Sequence, residues 1–270
     1  GSTWATALKT LDEALFIAHN CPGVNTINVA AGTYRPTKKP YASGVEITTS
    51  DARDITFHLA NGVAMYGGFP NGGGTRNIAA NPTILSGDFN NDDVVTGSGS
   101  TLSITGNGEN AYHVVLSVSD AATTILDGFT VRGGNANGSN TISVETLFIF
   151  QNSGGGMFNR NTSLTITNTI FTGNSAFQGG GMNNVFSSPT ITNTTFIGNR
   201  ASNGGGMRND SSSPSITNTT FTGNRAPSIG GGMWNNASSS PVITNTTFTG
   251  NSATNGGGMR NQSSSNPIIR

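Results

Sequence analysis

The sequence predicts an all-β right-handed parallel β-helix: three-strand coils of about 25 residues, closed at the N-terminal end by a capping α-helix. Five Gly triplets begin at Gly154, Gly179, Gly204, Gly230 and Gly256, spaced 25, 25, 26 and 26 residues apart. Each is followed at once by Met157, Met182, Met207, Met233 or Met259, and two residues later by Asn159, Asn184, Asn209, Asn235 or Asn261. A second block, ITNTIFTGN, ITNTTFIGN and twice ITNTTFTGN, sets Phe171, Phe196, Phe221 and Phe248 at the same period. Composition agrees: 38 Gly, 33% hydrophobic and 10% charged residues in 270 suit a narrow repeated core better than a conventional one, and the repetition and low charge are unlike disorder. Helical repeats are excluded by the β-branched residues and glycines and by the lack of a 3.6-residue apolar stripe.

Three stretches follow in order: residues 1–24 as the cap, 25–153 as irregular coils with excursions, and 154–270 as regular coils. Residues 3–19 read as a helix with Trp4, Leu8, Leu11, Leu15 and Ala18 on one face, Ser2 or Thr3 as its cap, and Asn20 with Pro22-Gly23 as its stop. Its role is to cover the first coil, because an open strand edge invites pairing. Strands are expected at 26–30, 55–59, 63–66, 83–85, 102–104, 113–116 and 124–131, the last a divergent copy of the ITNTTFTGN block. Excursions interrupt them at 36–50, 69–82, 87–99 and 135–153, and a specific site is expected there.

Within the regular coils, alternation places Ile191, Ile216 and Ile243 inward and Thr192, Thr217 and Thr244 outward. Asn168, Asn193, Asn218 and Asn245 are expected at a bend and facing inward, bridging backbone groups between coils. The Phe column stacks, the Met column fills space, and the Gly triplets permit a tight bend or positive φ. Asn-Thr-Thr at Asn193, Asn218 and Asn245 also fits the N-glycosylation pattern, but burial of those Asn argues against that use.

Zero net charge gives no general reason to expect nucleic acid or an anionic membrane as partner. Cys21 is the single cysteine, so no intrachain disulfide forms. No apolar run is long enough for a membrane span. The chain opens on Gly-Ser and stops at Arg270 part-way through a coil, so continuation into a longer chain or end-to-end self-association is expected.

Asp88, Asp92 and Asp93, with Asn90 and Asn91 between them, are the densest acid group. Hard oxygen donors in a flexible loop suit a structural Ca²⁺, and an ordinary solvated turn is the alternative. No cofactor is required. Lys38, Lys39, Glu46, Asp51, Arg53 and Asp54 would line a carbohydrate cleft if the first excursions fold together. His19, His58 and His113 lack ligand-spaced partners and read as structural. The columns Thr167, Thr192, Thr217, Thr244 and Thr169, Thr194, Thr219, Thr246 would array methyls and hydroxyls outward, a pattern that resembles ice-binding faces.

The helix, Val29–Tyr34 (Val-Ala-Ala-Gly-Thr-Tyr), Met65-Tyr-Gly-Gly-Phe69, Thr83-Ile-Leu-Ser-Gly-Asp88 and the repeat blocks together resemble the pectin-lyase-like β-helix proteins of bacterial surfaces, including the polymorphic outer-membrane protein type. The resemblance spans nearly the whole chain. It implies an extracellular or bacterial cell-surface location and a structural or adhesive role, with glycans or a host surface as partners. Its alternatives are carbohydrate binding or cleavage by the N-terminal loops, and ice binding. Polysaccharide lyases of this fold use a calcium-binding carboxylate cluster and a basic residue. The regular half, whose acids are few, does not supply one, and no catalytic residue is assigned.

Overall fold

The computed structural model describes residues 3–270 and is a parallel β-helix with a short N-terminal helix. Ser2, named as a cap, lies outside the described residues. Three parallel sheets of eight, seven and seven strands run the length of the rod. The first contains Thr26–Ala30, Ala64–Phe69, Ile125–Asp127 and Thr165–Thr167, the second Thr83–Ser86, Phe129–Arg132 and Ile170–Thr172, and the third Phe57–His58, Val115–Val118 and Met157–Arg160, each followed by its repeats. These are the three strands expected per coil. A fourth, shorter sheet of five strands, from Asn135–Ala136 to Ser252–Asn255, is added between the second and third.

Strand pairing keeps each repeat in register, so like side chains stack on like. Ile166, Ile191, Ile216 and Ile243 line the first sheet's inner face, and Met157, Met182, Met207 and Met233 the third's, all at most 2% exposed. The rings of Phe171, Phe196, Phe221 and Phe248 stack at 4.9, 4.7 and 4.8 Å, within 6° of parallel. A buried apolar column of this kind contributes roughly 1.5–3 kcal/mol per side chain. The Gly triplet serves two purposes. Its first residue has positive φ, as at Gly179 (63°), and a Cβ on its second, Gly180, would lie 2.5 Å from the carbonyl oxygens of Arg200 and Gly205.

The inward Asn assignment is corrected by the structure. Asn168, Asn193, Asn218 and Asn245 do sit at the bend, with φ of 47°, 50°, 48° and 45°, but they face outward and are partly or fully exposed. Burial therefore gives no reason to exclude the Asn-Thr-Thr pattern at Asn193, Asn218 and Asn245. The inward ladders belong to two other columns. Asn159, Asn184, Asn209 and Asn235 each donate Nδ2 to the Oδ1 of the next coil's Asn at 2.7–2.8 Å. Asn174, Asn199 and Asn224 do the same at 2.9–3.0 Å. The left-handed residue resets the alternation. Thr169, Thr194 and Thr219 consequently turn inward, at most 1% exposed, and donate Oγ1 to the carbonyl two residues back. The two named Thr columns thus do not share a face: the Thr167, Thr192, Thr217 and Thr244 column alone is outward.

The predicted helix is also revised. Trp4–Thr6 forms one 3₁₀ turn, and the α-helix runs only over Leu11–Asn20. Thr10 caps it, accepting from the Glu13 N–H while Glu13 accepts from the Thr10 N–H, so a capping box starts the helix within the expected stripe. Leu11 and Leu15 still bury against Ile27, Phe57 and Leu59, as a cap requires.

Candidate functional site

Three of the four expected excursions leave the rod between the second and third sheets, where later coils place fourth-sheet strands; they run over 36–56, 87–114 and 137–152, and the strand expected at 102–104 lies inside the second of them as Ser103–Thr105, not in the rod. Each contains an antiparallel hairpin: Tyr41–Ala42 with Val45–Glu46, Val94–Thr96 with Ser103–Thr105, and Thr141–Val144 with Leu147–Phe150. One side of the molecule thereby carries nearly all of its irregularity.

The first and third of these excursions meet. The Ser43 N–H donates to Glu145 Oε1 at their tips, and Gln151 Nε2 donates to Asp54 Oδ1 at 2.7 Å at their base. Between them lies an open depression of about 480 Å³, lined on one side by Ile47, Thr48, Thr49, Ser50, Asp51 and Asp54 and on the other by Asn140, Thr141, Ile142, Ser143 and Gln151. Tyr112 donates its hydroxyl to Asp51 Oδ2 at 2.8 Å, which fixes that carboxylate. Thr141 pairs with Phe150 and Ser143 with Phe148, and directly opposed residues share a face of the ribbon. Phe148 and Phe150, 59% and 40% exposed, therefore stand on the outer face of the ribbon with Thr141 and Ser143, beside the depression but outside its lining. The other face, Ile142, Val144 and Ile149, packs on Leu116, Val118 and Phe158.

Of the six charged residues expected around a cleft, Asp51 and Asp54 line it. Lys38 pairs with Glu46 at 3.3 Å, and Lys39 donates Nζ to the Thr49 carbonyl. Arg53 lies over the Tyr112 ring and donates to the Asn110 and Asn135 carbonyls, tying the excursions together. Asn140, Thr141, Ser143 and Gln151 were not singled out by the sequence. Their one signal was position within the 135–153 excursion.

The expected acidic trio is partly rearranged. Asp88, Asp92 and Glu109 bring carboxylate oxygens within 4.8 Å of one another. Asp93 instead accepts from Asn110 Nδ2 at 2.9 Å, and burial, aided by the neighbouring Asp88, Glu109 and Asp92 carboxylates, pushes its carboxyl up to about 6. The hairpin between them folds back antiparallel and returns Glu109 to the acids from which it left.

The histidines are structural in their contacts. The Tyr41 N–H donates to His58 Nδ1 at 3.1 Å, the His19 and His58 rings lie 4.7 Å apart, and His113 Nδ1 lies 3.0 Å from the Gly154 carbonyl. Burial lowers the pKa of all three, that of His113 to about 4. Cys21 is exposed and free.

No family model, no curated protein and no solved structure matches this chain. Among the described residues, no helix is long and apolar enough to cross a membrane.

Proposed function

We propose that this chain is a secreted or cell-surface structural and adhesive module, in which a stiff rod presents a recognition side formed by its excursions. The observation that carries the reading is the division of labour around the axis. Three excursions and the 480 Å³ depression share one side, whereas the outer faces of the regular coils repeat short threonine and serine strands. The resemblance to bacterial surface β-helix proteins supports the same reading and an extracellular location. The strand edge of the last coil offers backbone groups with which a second copy of the chain would pair. Imaging of the purified chain tests assembly: rods lengthening with concentration support self-association, and isolated particles of uniform length sink it.

A second reading, glycan binding, is favoured by the depression itself. Its lining residues Thr48, Asp51, Asn140, Thr141 and Ser143 carry hydroxyl, carboxylate and amide groups able to hydrogen-bond a sugar. A glycan array is the direct test. Binding by the wild-type chain that is lost in Asn140→Ala with Thr141→Ala supports this reading, and a blank array with the folded wild-type chain counts against it.

A further inference from the structure

We infer that Arg200 and Arg225, on the outer face of the fourth sheet, form an anion site that takes a tetrahedral oxyanion, a phosphate or sulfate group either free or carried as an ester on a polymer. The inference is independent of the glycan reading of the depression. Strand pairing sets Ser175, Arg200, Arg225 and Ser252 in one column of successive coils, so the two arginines start from Cα atoms about 4.8 Å apart. Their neighbours Ala201 and Ala226 are buried, which by alternation turns both arginines outward. A cleft of about 110 Å³ opens there, lined by Ser175, Ala176, Arg200, Ala201, Ser202 and Pro227.

No described residue neutralises this pair. Neither arginine takes part in the three ion pairs among the described residues, which are Lys38–Glu46, Arg76–Asp127 and Arg208–Asp210. The only acid after residue 153, Asp210, is committed to Arg208, and the hairpin of 94–105 that passes beside Arg225 contains none. Asp88 and Asp93 stand against Gly133, at the coil of Asn135, two strand spacings from Arg200, roughly 9.6 Å. Like charges on paired strands repel. Arg200 Nε is moreover buried with no acceptor, a donor that the fold leaves unsatisfied, and an oxyanion supplies acceptors alone.

The arrangement suits a tetrahedral group better than a carboxylate. One guanidinium fork already satisfies both oxygens of a carboxylate, whereas donors arriving from successive coils call for three or four oxygens. Arg225 is held in place beforehand: its Nη1 donates to the Leu102 carbonyl at 2.9 Å, which leaves Nε and Nη2 for a ligand. Ser175 and Ser202 in the lining bring hydroxyls to the same cleft. The fourth sheet lies between the second and third, on the side from which the three excursions leave, so the site shares that side with the depression.

The test is calorimetric titration of the full chain at low ionic strength with inorganic phosphate, inorganic sulfate and dextran sulfate, the first two standing for a free ion and the third for an ester on a polymer. At least one probe should bind and uncharged dextran should not. Arg200→Gln, which leaves the Arg225 tie to the hairpin intact, should weaken that binding by about tenfold or more. Arg200→Lys, which keeps the charge and loses the fork, should weaken it as well. Arg260→Gln, at an exposed arginine on the third sheet, should leave it unchanged. In the wild-type chain the bound probe should slow amide exchange over 200–202 and 225–226, a readout that needs no variant. No heat from any probe at millimolar concentration overturns the inference, as does equal binding by folded Arg200→Gln, or a loss in Arg260→Gln as large as that in Arg200→Gln.

Discussion

The regular coils and the irregular coils use one core in two ways. From residue 154 onward every coil repeats its neighbour's Ile, Phe, Met and Asn, and the only acid is Asp210. Before residue 154 the same three columns continue through unlike side chains: Met65 and Leu126 beneath the isoleucines, Leu85 and Val131 beneath the phenylalanines, Phe57 and Val115 beneath the methionines. All three histidines, the depression and the acidic cluster belong to this part. Uniform coils gain stacking and hydrogen-bonded ladders but present the same surface again and again. Irregular coils lose the ladders and gain places where loops meet. The large depression, the acidic cluster and the histidines lie where repetition has been given up.

The sharpest way to break this comparison is within the regular core. Phe221→Ala removes a ring stacked on both sides and should cost about 3–5 kcal/mol in denaturant unfolding. A cost below about 1 kcal/mol would mean that the column is not a packed core. Next comes the contrast between two Asn columns. Asn209→Ala strands the amides of Asn184 and Asn235 in the interior and should cost about 2–4 kcal/mol. Asn218→Ala, outward at a left-handed bend, should cost only about 1–2 kcal/mol through its backbone. Equal costs would remove the distinction between inner ladder and outer corner.

The irregular half should answer to pH in two opposite ways. Asp120 is buried, and its carboxyl is raised to about 7 mainly by desolvation, although it accepts from Ser117 Oγ at 2.6 Å. Its folded pKa lies above the unfolded value, so its cost to stability grows as pH rises from about 4 to 7. Asp120→Asn should therefore stabilise by about 2–4 kcal/mol at pH 8 and by little near pH 4. His113 is the reverse case. Its folded pKa of about 4 lies below the unfolded 6.5, so the stability from keeping it neutral is present above pH 6.5 and is lost as pH falls, by about 1.5 kcal/mol at pH 5.5. His19 and His58 act in the same direction. Unfolding curves between pH 8 and 5 check both signs.

How far the sequence could be read depended on what set each position. Period and side-chain type were enough for Ile191, Phe196, Met182 and the Gly triplets, because stacking like on like leaves its mark in every coil. The Asn columns were exchanged because alternation was carried through a bend. Ile166 and Phe171 both point inward although five residues separate them, so a corner between them must reset the alternation, and Thr169, two before Phe171, then falls inward. The capping box of Thr10 and Glu13 was present in the sequence as spacing. Glu109, by contrast, joins Asp88 and Asp92 only through a hairpin that brings distant residues together, and no local pattern announces it. Gln151 meets Asp54 for the same reason, since two excursions had to fold onto each other.

The most direct test of the division between the two halves is amide hydrogen exchange mapped along the chain at pH 7.5 and pH 5, corrected for the intrinsic pH dependence of exchange. Protection should fall at low pH around 11–20, 57–60 and 113–118, where His19 is half-buried and His58 and His113 are buried, while 165–172, 190–197 and 215–222 hold theirs. A uniform loss of protection through both halves, or a loss that begins in the regular coils, would contradict it.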